Sequence, residues 1–130
     1  MCPVYINRIA SIHAESSNEK PYFSAQEPDY KEMITNANLR RRMSRMIKMG
    51  VACGLECLKD IPSEKVDAII TATGLGCLAD TEKFMNALMD NREQMLNPTA
   101  FIQSTFNTVG AQLALLLKIH AYNVTYVHRG

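Results

Sequence analysis

Apolar residues recur at helical spacing through Leu39, Met43, Met46, Ile47, Val51, Leu55 and Leu58, which predicts one amphipathic helix over residues 39–58. Its opposite face carries Arg40, Arg41, Arg42, Arg45 and Lys48. Gly50 and Gly54 lie four apart beside Ala52 and Cys53. Each glycine costs about 1 kcal/mol of helix propensity unless a close neighbour uses the missing side chain. Tight backbone packing against a sheet is therefore expected here, and Pro62 closes the helix. The next apolar run, VDAIITAT over 66–73, has strand length and is bounded by a polar turn and by glycines, as central parallel strands are. Asp80 or Thr81 then caps a helix running to about Asn91, with Phe84, Leu88 and Met85 inward. After a break at Asn97 and Pro98, residues 104–119 read as a helix. Val109, Leu113, Leu116 and Leu117 are its apolar positions, and Gly110 and Ala114 its small ones. Residues 123–127, NVTYV, alternate as a strand. At the other end, VYINRIASIH over 4–13 reads as an extended segment whose alternation slips near Arg8, the mark of a bulge. The polar stretch 15–30 holds Pro21 and Pro28 and reads as a surface loop pinned by Tyr22 and Phe23.

Strands alternating with helices of this length predict an α/β fold of β-α-β-α-β order, with three side-by-side, mainly parallel strands covered by helices. The 130 residues suit one domain or part of one. Hydrophobic content of 47% and charged content of 21% exclude disordered and collagen-like classes. A formal charge of +1 supplies no overall field for nucleic acid or an acidic membrane. No basic region followed by an apolar run opens the chain, and no segment is continuously apolar over a membrane's thickness; a cytoplasmic protein is expected. Cys2, Cys53, Cys57 and Cys77 lack the paired spacing of a zinc site or a disulfide framework, so reduced thiols and no metal are expected.

Candidate chemistry is sparse. Gly74 and Gly76 in TATGLGCL follow a strand and precede a helix, yet the third glycine of a dinucleotide fingerprint is missing and no GxxxxGK[ST] exists. The basic run RRRMSR, with Arg41 and Arg45, has the chemistry to contact phosphate on a coenzyme or carrier arm; a solvated helix face explains the same charges. His13, His120 and His128 are scattered without a partner at readable spacing. The methionines at helical spacing suit core or interface filling. No serine sits in a GxSxG elbow and no paired carboxylates stand out.

Three blocks then match one family in order. LRRRMSRMIKMGVACGLECLKD resembles the first helix of the thiolase-fold β-ketoacyl synthases. IITATGLGCLADTEKFMNAL resembles their second strand and glycine turn. NPTAFIQSTFNTVGAQLALLLKIHAYNVTYVHRG resembles the approach to their nucleophile. The chain is therefore similar to the N-terminal portion of a β-ketoacyl-(acyl carrier protein) synthase, spanning residues 1–130 as an incomplete domain. The resemblance implies a partial thiolase-like fold and a role in fatty acid or polyketide assembly. It places Gly130 at or beside the nucleophilic cysteine's position, so condensation by this chain itself is not expected; the family's chain-length-factor partners are similar in this respect. It makes Asn123, Val124, Thr125, Tyr126 and Val127 a homodimer seam. It names acyl carrier protein or an active synthase as further partners. No bound cofactor is implied, although a phosphopantetheine arm or coenzyme A would form part of the substrate. The competing reading is a small α/β module that holds an anion between the Gly74–Gly76 turn and the basic helix.

Overall fold

The computed structural model describes residues 3–14 and 24–128. Its helices are α1 (Tyr30–Met33), α2 (Ala37–Arg42), α3 (Arg45–Cys57), α4 (Leu78–Asp90), α5 (Pro98–Ser104) and α6 (Thr108–Leu117); its strands are β1 (Ala68–Thr73) and β2 (Tyr122–Val127). β1 and β2 pair in parallel, with Ala68 opposite Tyr122 and Thr73 opposite Val127. The connection between them, through α4, α5 and α6, is the long crossover that parallel pairing demands.

The chain is α/β as expected, but among the described residues the sheet has two strands rather than three. Residues 4–13 form no ladder and hence no bulge. Val4, Tyr5, Ile6 and Ile9 are exposed, and among the described residues no neighbouring strand offers them backbone partners. This segment is held instead by Arg8, whose guanidinium donates to the carbonyls of Glu56 and Lys59 at the end of α3. An isolated bridge joins Ala14 to Ala25. The pinning role expected of Tyr22 and Phe23 lies outside the described residues.

The predicted helix over 39–58 is two helices. Met43 turns to extended backbone (φ −78°, ψ 133°), and Ser44 restarts the chain as the N-cap of α3. The turn buries Met43, which is 3% exposed, in the core. Gly50 and Gly54 do meet close packing, but from α6 and not from the sheet. A Cβ on Gly50 would stand 2.8 Å from Val109 Cγ1, and one on Gly54 2.5 Å from Leu113 Cδ1. Asn97 and Pro98 start a helix; the one before them has already ended at Asp90. The Asn97 side chain accepts from the Thr99 amide, and Pro98 occupies the first turn of α5, where its missing N–H is harmless. The helix expected over 104–119 is correspondingly shortened to α6. α4 begins three residues before Thr81, with Asp80 in its first turn. No residue of α4 is buried; Phe84 meets Phe101 of α5, ring centroids 5.6 Å apart, while Met85 is exposed.

The core gathers Ile34, Met43, Ile47, Val51, Ile69, Leu113 and Ile119 between α3, α6 and one face of the sheet. Strand alternation decides which side chains join it. Ile69, Thr71 and Thr73 face the helices; Ile70, on the opposite face, is 66% exposed. By register, Tyr122, Val124 and Tyr126 share that uncovered face with Ile70, and Tyr122 and Tyr126 are 66% and 61% exposed.

Candidate functional site

The carboxyl end of β1 runs through Thr73 into the turn Gly74–Gly76 and on to Cys77, the N-cap of α4. Gly76 adopts φ +61°, backbone that side chains other than glycine resist. Its N–H donates to Thr73 Oγ1 at 2.8 Å, tying the turn back to the strand. Ligands of open α/β sheets bind outside the carboxyl ends of the strands. A cavity of about 300 Å³ lies there, between Met46 and Gly50 of α3, the strand residues Thr71 and Thr125, and Phe106, Val109 and Leu113.

The walls are mainly apolar, and the hydroxyls among them are occupied. Thr71 Oγ1 and Thr125 Oγ1 lie 2.6 Å apart across the two strands. Thr73 Oγ1 accepts from Gly76. Cys77 is 3% exposed, and burial, with the charge of Asp80 second, pushes its thiol above the ordinary value of 9.0. A protonated thiol is a poor nucleophile. Cys53 behaves alike: burial first and Cys57 second raise its value. Among the described residues no group of three histidine, cysteine or carboxylate side chains could hold a metal ion.

A second cavity of about 330 Å³ opens on the other side of Gly76 and Cys77, toward Ser44, Arg45 and Asp80. The structure thus brings Arg45 beside the glycine turn. Arg45 Nε also pairs with Glu27. The Glu27 carboxyl is held below its ordinary range by a hydrogen bond from Tyr30 first and by Arg45 second, and Tyr30, which donates to Glu27 at 2.7 Å, is raised by burial and by that bond. Arg41 is not brought to the turn. It sits on α2, across the break at Met43 and Ser44, where its Nη2 donates to Asn38 Oδ1 at 2.9 Å. Asp80 shares the cavity with Arg45, and its Oδ2 is buried without a protein partner, so any anion there would meet a carboxylate.

The expected seam residues are those of β2 from Asn123 onward. The Asn123 carboxamide lies against Gly110, where Oδ1 would stand 2.8 Å from an added Cβ, and Thr125 bonds to Thr71. β2 pairs with β1 on one side only among the described residues, leaving its outer backbone edge open. Gly130 lies outside the described residues. Met46 and Val109 were read from the sequence only as apolar helix positions, a signal that does not tell a cavity wall from a core residue, and Phe106 carried no sequence signal.

The arrangement of glycine turn, small-residue helix and following strand can be compared with known proteins. The profile of the β-ketoacyl synthase N-terminal domain matches residues 13–125. The chain belongs to this family. A ketosynthase, ApeO from Xenorhabdus doucetiae, solved in complex with its chain length factor ApeC, is similar in structure, with a TM-score of 0.58 and 25% sequence identity. The match covers 89% of this chain and 43% of ApeO, so the chain spans less than half the length of that ketosynthase. No curated protein matches the chain in sequence. No single described helix is long and apolar enough to cross a membrane.

Proposed function

We propose that this ketosynthase-like chain serves fatty acid or polyketide assembly as a pairing and chain-holding part, and that it does not carry out the condensation by itself. The observation that carries the reading is β2. Its outer edge is unpaired among the described residues, and one face of the sheet is bare at Ile70, Tyr122 and Tyr126. Parallel sheets are ordinarily covered on both faces, and an open strand edge is a template for a second chain. A second copy adding its own strand to this edge would remove that edge from both copies. The structural relative ApeO is itself described with a partner chain, which supports pairing with a related protein as well. The cavity beneath the glycine turn, lined by apolar side chains with its hydroxyls occupied, suits part of an acyl chain. Arg41 and Arg45 would meet the acidic surface or the phosphopantetheine arm of a carrier protein.

Sedimentation velocity over a range of concentrations tests the pairing. The expected result is a reversible dimer that Tyr126→Lys or Val127→Lys shifts to monomer; a monomer at every concentration in the wild type would sink the proposal. Intact-mass measurement after incubation with acyl coenzyme A tests the absence of condensing chemistry. No adduct is expected, and a stable thioester on any cysteine would overturn that part.

A second reading rests on one observation, the shared cavity of Arg45 and Gly76, against which the Asp80 side chain in the same cavity counts. In it the chain is an anion-binding module. Phosphate binding lost in Arg45→Ala, in a protein that stays monomeric, would favour it over pairing.

A further inference from the structure

The cavity on the α3 side of the glycine turn holds two opposite charges that do not meet. Arg45 and Asp80 both line it, yet Arg45 forms its ion pair with Glu27 through Nε, and Asp80 Oδ2 is buried with no hydrogen-bond partner. Ser44 adds a second such atom. It is the N-cap of α3, where a serine hydroxyl ordinarily accepts from the first amides of the helix, but it makes no cap bond, and its Oγ is buried and unpartnered. A buried polar atom without a partner is costly and calls for an explanation. Two of them on the wall of one cavity are groups that a ligand there would satisfy. Ser44 and Arg45 reach this wall because the chain breaks at Met43 and restarts as α3; Asp80 reaches it because the glycine turn starts α4 at Leu78.

The charges decide the class of ligand. A simple anion drawn by Arg45 would face the Asp80 carboxylate, and a simple cation drawn by Asp80 would face the guanidinium. A molecule with an ammonium and a carboxylate on neighbouring atoms answers both. The Asp80 carboxylate and the Ser44 hydroxyl can each accept an ammonium N–H, and the last torsion of an aspartate is broad and two-fold, so either oxygen can turn to the cavity without moving α4. Among the described residues Arg45 spends only Nε on Glu27, which leaves its two Nη nitrogens to donate to a ligand carboxylate. The remaining wall includes Met46, Met49, Leu75 and Leu78. Met46, Leu75 and Leu78 are more than half exposed and would gain by covering an apolar body. Among the described residues no aromatic ring lines the cavity, so a nucleobase would find no stacking partner, and about 330 Å³ is at the small end of small-molecule sites. We propose that this cavity binds an apolar α-amino acid, its ammonium on Asp80 and Ser44 and its carboxylate on Arg45. The site is independent of the pairing edge of β2 and of the cavity beneath the glycine turn.

The test titrates leucine into the full chain and follows the backbone amide signals of Arg45, Gly76, Ala79 and Asp80 by NMR. Three further probes each lack one feature: N-acetyl-leucine the ammonium, leucinol the carboxylate and glycine the apolar body. Leucine should move these amides, and each of the three should bind about tenfold more weakly, the effect of losing one charge-assisted hydrogen bond or one buried aliphatic side chain. Asp80→Asn, which keeps the shape and removes the charge, should weaken leucine about tenfold and leave N-acetyl-leucine unchanged. Arg45→Gln should weaken leucine and leave leucinol unchanged. A general loss of structure would weaken every probe alike and could not give this matching of variant to probe. Equal affinity for leucine and N-acetyl-leucine, or an equal loss of both in Asp80→Asn, would overturn the assignment. So would amides that respond to inorganic phosphate and not to leucine, the outcome expected of a plain anion site, or amides that leucine does not move at all.

Discussion

Replacing Gly54 by alanine sets two known effects against each other at one contact. In a helix interior the change alone stabilises by about 1 kcal/mol. Here, however, the new Cβ would stand 2.5 and 2.7 Å from the two methyl carbons of Leu113 and 3.1 Å from its Cγ. Leu113 is 6% exposed and belongs to the core, so it has little room to retreat, and overpacking of this kind costs about 1–3 kcal/mol. The net expectation is a loss of up to about 2 kcal/mol. Leu113→Ala by itself should cost about 2–5 kcal/mol. In that background the obstruction is gone, and Gly54→Ala should regain its intrinsic gain of about 1 kcal/mol. The two substitutions are therefore coupled, with an interaction energy of about 1–3 kcal/mol favouring the double variant. Urea unfolding of the four proteins, read as midpoint and slope, measures the cycle. Should Gly54→Ala stabilise the wild type by the full helix-propensity gain, α3 and α6 do not approach as described, and the cavity they wall would lose its basis.

Two further outcomes follow from the same geometry. Thr108→Val keeps the shape of a 2%-exposed side chain but removes the hydroxyl near the Ile102 carbonyl; it should cost about 1–2 kcal/mol and raise amide exchange across residues 104–108, whereas unchanged exchange would mean the corner between α5 and α6 is held by something else. The thiol of Cys77, raised in the folded chain above 9.0 by burial and by Asp80, contributes stability that is fully present below about pH 9 and is lost as the pH climbs through the folded value. Cys77→Ala should flatten the fall of urea midpoint with rising alkaline pH, and an identical fall in both proteins would show the thiol to be unburied in solution.

Several features were legible in the chain alone because each is written in local residue order. The apolar run over 66–73 and the alternation over 123–127 read as the strands that form at Ala68–Thr73 and Tyr122–Val127, because β-branched residues and flanking turn residues are local signals, and their parallel pairing follows from the helical length between them. The helical character of residues 45–57 and 108–117 was readable from apolar spacing. The family was readable too, since the order of three blocks survives where single motifs are loose.

What the tertiary structure alone decided is which neighbour each element meets. Residues 4–13 carry a strand-like pattern, but a strand exists only where another edge accepts its hydrogen bonds, and here Arg8 finds the end of α3 instead. The helix break at Met43 and Ser44 is invisible to periodicity, because Met43 is apolar and buried whether the helix runs through it or turns there. Gly50 and Gly54 announced a close approach without saying that α6, not the sheet, makes it. The same limit hid the cavity under the Gly74–Gly76 turn: Met46 lies far along the chain from Phe106 and Leu113, and only the packing of α3 and α6 on one face of β1 and β2 brings them around a common space. Sequence order specifies local backbone preference and the apolar sides of elements; the choice of partner for each side depends on burial summed over the whole chain, which no short window contains.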